Sequence, residues 1–187
     1  KDLTRNFKDQ YEEKERKRIR EQRTREDVYV RLARAVIEEY VRTGRKKKIP
    51  ENLPEEMYTR RAGVFVSIKK EGRLRGCIGT IQAVRRSIAE EIIENAVSAA
   101  VKDPRFSPIE PEELEKLTVS VDVLGDTERI DSQDLLDVKR YGVVVTKGYR
   151  RGLLLPNLEG IDTVEEQVRI AKQKAGIGDF EEVELER

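Results

Sequence analysis

The sequence predicts an α+β fold, with a largely antiparallel sheet and flanking helices, and three observations carry that expectation. KLTVSVDVL (116–124) alternates strictly, with Leu117, Val119, Val121 and Val123 on one face and Thr118, Ser120 and Asp122 on the other. Two pairs of strand-like runs, 63–69 with 74–81 and 141–146 with 151–155, are each joined by a short glycine-containing turn. Capping boxes at Ser87–Glu90 and Thr163–Glu166 open helices between these groups.

Taken in order, residues 1–25 form a charged arm, and 26–187 form the domain proper. YEEKERKRIREQRTRED (11–27) has almost no apolar side chains, and Glu12–Arg16, Glu13–Lys17 and Glu21–Arg25 are i,i+4 pairs with the acid first. Polar on every side, the arm reads as a solvated helix or a disordered segment. Its Arg16, Lys17, Arg18, Arg20, Arg23 and Arg25 could contact phosphates, but interleaved glutamates dilute them.

Val28, Leu32, Ala35, Val36, Ile37 and Tyr40 recur at helical spacing, and Gly44 stops that helix. The basic run 45–48 and the two-proline IPENLPEE read as surface connectors. GVFVSIK (63–69) is a strand, Glu71-Gly72 a tight turn, and 74–81 the returning strand. The helix opened at Ser87 runs to about residue 102, with Ile88, Ile92, Ala96 and Ala99 on a broad apolar face, so it belongs to the core. DPRFSPIEP (103–111) is a proline-punctuated loop. The helix after Thr163 stops at Gly176, and the final VELER looks like a strand cut short.

Composition narrows the function classes. A chain of 187 residues suits one domain with a small appendage. Lys and Arg total 38 against 37 Asp and Glu, a net charge of +1, so nucleic acid is not an expected partner. No stretch approaches the roughly 18 apolar residues of a membrane span, and no signal-peptide pattern opens the sequence. One cysteine cannot form an internal disulfide, which points to a reducing, cytoplasmic home. Charged residues make up 40% of the chain with one methionine, the pattern of high-temperature ion-pair networks and of a thermophilic source. Histidine is absent, which removes serine triads, cysteine–histidine dyads and histidine-ligated metal sites. No metal site is expected, and no cofactor is named by the sequence.

The single cysteine lies in LRGCIG (74–79), between two glycines. Strand alternation places Arg73, Arg75 and Cys77 on one face and Leu74, Gly76 and Ile78 on the other. A guanidinium beside a thiol favours the reactive thiolate. Gly76 and Gly79 imply a close approach to the backbone, whether by a ligand or by another element, and Thr80 adds a hydroxyl. Buried apolar filler, reactive thiol and ligand contact all remain open for Cys77. The glycines fit neither G-x-G-x-x-G nor a P-loop.

LRGCIGT, the helix SIAEEIIENAVSAAVKDPRFSP, LTVSVDVL, YGVVV and RGLLLPNLEGIDTVEEQVRIAKQKAGI together resemble the AMMECR domain family, over about 27–177. The resemblance implies two subdomains with a cleft near the signature. It also implies the company of Memo-type and radical-SAM proteins, while the family activity is not established. Carried over by position, the site is 74–80, with Asp103, Pro104, Arg105 and Phe106 as a second wall. The charged arm lies outside the family domain, and relatives usually continue past VELER with a further strand.

The expectation that follows is a small-molecule or modified-substrate cleft. Arg75 binds an anionic group there, Cys77 lines the cleft or performs chemistry, and Gly76, Gly79, Thr80, Asp103 and Arg105 contact the ligand. The alternative is a noncatalytic module docking on a protein or RNA, with the arm supplying electrostatics. A third reading makes the arm a helical linker to a neighbouring domain.

Overall fold

The computed structural model describes residues 3–24 and 26–187, with side chains from 7 to 20 and from 26 onward. The chain divides into two compact units, 1–125 and 126–187. The pair Glu21–Arg25 and the side chain of Arg23 fall outside the described residues.

The first unit opens with helix α1 (Leu3–Thr24). Among the described residues its ion pair joins Arg18 to Glu15 at 3.5 Å, in place of the anticipated i,i+4 pairs Glu12–Arg16 and Glu13–Lys17. The arm is helical but not solvated all round, because Ile19 is buried. Asp27 caps α2 (Val28–Thr43) by accepting the Val30 N–H at 3.0 Å, and Gly44 ends it in the left-handed conformation. The connector that follows holds a short helix, α3 (Glu55–Thr59), whose Met57 is fully buried. One apolar side chain in an acidic turn thus plugs the core where the sequence reads as surface.

Strands β1 (Val64–Lys70), β2 (Arg73–Gly79) and β3 (Leu117–Val123) form an antiparallel sheet in the order β2-β1-β3. Helix α4 (Ile88–Val101), capped by Ser87, packs with α2 on one face of it. That face carries Val64, Val66, Ile68, Leu117 and Val119, which join Ile88, Ile92 and Ala96 in the core. Burial of the valine, leucine and isoleucine side chains among these is the main stabilising term of the unit, at about 1.5–3 kcal/mol each. A short 3-10 helix, Pro111–Lys116, leads into β3.

The second unit is a four-stranded antiparallel sheet of β4 (Arg129–Ile130), β5 (Val143–Lys147), β6 (Arg150–Leu154) and β7 (Glu184–Glu186). Its order is β4-β7-β5-β6, so the VELER strand lies inside the sheet rather than at its edge. Helix α5 (Val164–Ala175) packs on β5 and β6 and ends at Gly176. Val143, Val145, Leu154, Val168 and Ala171 form a separate core.

The two units share one packing device. A Cβ at Gly76 would lie 2.1 Å from the Ala99 carbonyl oxygen of α4, and one at Gly152 would lie 2.2 Å from that of Ala171 in α5. In each unit, then, a helix backbone rests directly on a strand glycine.

Candidate functional site

The signature strand β2 has a bulge. Ile68 pairs with Gly76 and Lys69 pairs with Leu74, so Arg75 is the extra residue. Gly76 and Ile78 keep the helix-covered face, and Cys77 keeps the opposite one. The bulge shifts the alternation before Cys77, which turns Leu74 outward and leaves it exposed. The anticipated side-by-side display of Arg75 and Cys77 is therefore interrupted.

Arg75 is instead held by protein groups. Its Nε and Nη2 donate to the Glu113 carboxylate at 2.9 and 3.1 Å, and its Nη1 donates to the Ser107 carbonyl at 2.7 Å. Lys70 Nζ reaches the same carboxylate at 2.9 Å. Arg75 first, helped by the Glu110 N–H and Lys70, holds the Glu113 carboxyl down at about 2 against the opposing effect of burial.

Cys77 is half-buried and lies outside the core cluster, so it is not apolar filler. Its Sγ is 3.2 Å from Ser67 Oγ, within hydrogen-bond reach. Ser67 pairs with Cys77 on one side and with Ser120 on the other, giving a row of three small polar side chains across the sheet. The next row is Gly79, Phe65 and Asp122. A Cβ at Gly79 would sit 2.3 Å from the Phe65 ring, so the glycine lets that ring lie flat over β2. Asp122 is exposed as a residue, while the protein atoms around its carboxyl desolvate it and push its pKa up.

The DPRF loop edges this face. Asp103 Oδ2 accepts the Cys77 N–H at 3.0 Å, and Arg105 Nη2 donates to the Cys77 carbonyl at 3.2 Å. Arg105 also grips Asp103, with Nη2 to Oδ2 at 2.8 Å and Nε to Oδ1 at 3.1 Å. The Arg105 guanidinium is the main cause holding Asp103 down at about 2, with the Cys77 and Arg105 N–H groups adding to it and burial opposing. The Arg105 side chain is 54% exposed while that of Asp103 is 2% exposed. Arg105, rather than Arg75, is the guanidinium that meets Cys77.

Thr80 turns inward. Its hydroxyl donates to Glu91 Oε1 at 3.0 Å and accepts from Asn95 Nδ2 at 3.3 Å. Glu91 is 1% exposed and also accepts the N–H groups of Val84 and Arg85, at 2.7 and 3.0 Å. Sequence reading missed Glu91, Asn95 and Glu113. Polar residues on the apolar face of a predicted helix were the one signal available for the first two. Among the described residues, no cluster of three or more His, Cys, Asp or Glu is arranged to hold a metal ion.

Two helix-backed antiparallel sheets, one carrying a partly buried cysteine on a glycine-flanked edge strand, define an α+β domain of the AMMECR type. The AMMECR1 family model matches residues 30–187, and the chain belongs to that family. A Thermotoga maritima protein is 52% identical over 164 residues, covering 87% of this chain and 94% of its own length. A Clostridium acetobutylicum protein is 48% identical and aligns with 100% of this chain, which spans only 38% of that relative. The crystal structure of an uncharacterised Pyrococcus horikoshii protein superposes with a TM-score of 0.77 at 35% identity, covering 84% of this chain and 85% of that one. Relatives thus include proteins of thermophiles. Among the described residues, no helix is long and apolar enough to cross a membrane.

Proposed function

We propose that the sheet face around Cys77 is a small-molecule or modified-substrate site, working in the cytoplasm alongside Memo-type and radical-SAM proteins. One observation carries the reading: Cys77 lies partly buried on the sheet face turned away from α2 and α4, while Asp103 and Arg105 fix its backbone from the edge. A preorganised strand holds its side chains in place before the ligand arrives. Phe65 offers an apolar platform, Ser67 and Ser120 offer hydroxyls, and the exposed guanidinium of Arg105 offers charge to an anionic group. Cys77 then contacts the ligand directly or reacts with it.

The test is a thermal-shift screen of small anionic metabolites, paired with iodoacetamide labelling of folded protein followed by intact mass up to about pH 9. A stabilising compound that also protects Cys77 from labelling is the expected result, with Arg105→Ala abolishing the shift. A sulfur that never labels would remove the chemical version. No stabilising compound together with unprotected labelling would remove the site.

A second reading, a noncatalytic docking module, draws on a different observation. Tyr149, in the β5–β6 turn, and Phe180 are fully exposed. The carboxylate of Glu181 ties their segments together, accepting from Arg150 at 3.2 Å and from the Gly178 N–H at 2.6 Å. Rigidly mounted aromatics suit a protein partner. Capture of a partner that survives Tyr149→Ala and Phe180→Ala together would count against it.

A further inference from the structure

The arm does not float free of the site. Ile19 is 5% exposed, and α1 rests on the 3-10 helix Pro111–Lys116 and the adjoining start of β3. Arg16 and Ile19 of the arm line a small cavity with Glu71, Glu112, Glu115 and Lys116. In a helix of three residues per turn, positions 112 and 115 lie in one row, and 113 lies a third of a turn away. Glu112 and Glu115 therefore border the arm, while Glu113 reaches the signature strand and binds Arg75 Nε at 2.9 Å.

Glu113 is pinned at both ends of this arrangement. Its Oε2 accepts the Glu110 N–H at 2.8 Å, closing the box that starts the 3-10 helix, and the same oxygen accepts Arg75 Nη2 at 3.1 Å. A shift of the 3-10 helix carries Glu110 and Glu113 together, so it must alter the bond to Arg75. Among the described side chains of the arm, Ile19 is the buried one, and that of Glu15 beside it is 24% exposed.

We propose that α1 acts on the signature strand at a distance: docked on the 3-10 helix, it sets the Glu113–Arg75 grip and so the rigidity of the LRGCIG strand. Undocking loosens that strand at its bulge.

The experiment is hydrogen exchange of the full chain, followed at the amides of 110–117 other than Pro111 and at the Arg75 Nε–H. Ile19→Glu and Arg16→Glu should each speed exchange there by about threefold or more, while α4 amides such as Ala96 stay unchanged. Adding Glu115→Arg to Arg16→Glu should return the rate toward that of the parent chain. Unchanged exchange at 110–117 in both single variants would overturn the proposal. Equal acceleration in α4 would overturn it too, since the arm would then contribute only to global stability.

Discussion

The backbone N–H of Cys77 donates to the buried carboxylate of Asp103 at 3.0 Å, and the carbonyl of the same residue accepts from Arg105 at 3.2 Å. β2 is an edge strand, so at this one residue two side chains stand where a neighbouring strand would. Edge pairing by side chains thus satisfies the Cys77 backbone without a further strand. Asp103→Ala should cost roughly 1–3 kcal/mol in urea unfolding, because it strands the Cys77 N–H and removes the carboxylate that fixes Arg105 over the edge. A variant as stable as the parent would show that the pair does not hold the edge.

Acid should loosen the signature strand from both sides. Asp103 and Glu113 both lie at about 2, below their ordinary values of 3.8 and 4.5. Depressed carboxyls bind fewer protons folded than unfolded, so their contribution is complete above the ordinary values and is lost as pH falls toward 2. Melting temperature should therefore drop between about pH 4.5 and 2, and the drop should be shallower in Glu113→Gln. Parallel curves for the two proteins would refute the assignment.

Gly76 has no room for a methyl group against the Ala99 carbonyl. Gly76→Ala should destabilise the chain by about 1–3 kcal/mol through a forced separation of α4 from β2. Chemical denaturation with an unchanged slope and a lower midpoint is the expected signature.

Glu91 gathers the Thr80 hydroxyl and the N–H groups of Val84 and Arg85. Glu91→Ala should free all three donors and cost on the order of 3 kcal/mol. The amides of Val84 and Arg85 should lose their exchange protection before those of β1 do. Retained protection at Val84 would mean that another acceptor serves the loop.

Local order was legible because its causes are local. The helix periods, the Ser87 and Thr163 caps and the glycine stops mark α2, α4 and α5. Strict alternation marks β3, because a strand with one buried face repeats every two residues. The candidate site was legible only as a stretch. LRGCIG and DPRF were singled out and do meet, but the role assigned to Arg75 depends on where Glu113 lies, 38 positions away.

By itself the sequence determined the class of fold, the order of most elements, the family and the strand that holds the cysteine. Tertiary structure alone decided which way that strand faces. The bulge at Arg75 resets the alternation, Glu113 takes the arginine, and Arg105 comes to the cysteine in its place. The physical reason is range: periodicity and capping act within a few residues, whereas a strand register and an ion-pair partner are set by segments that meet only when the core closes.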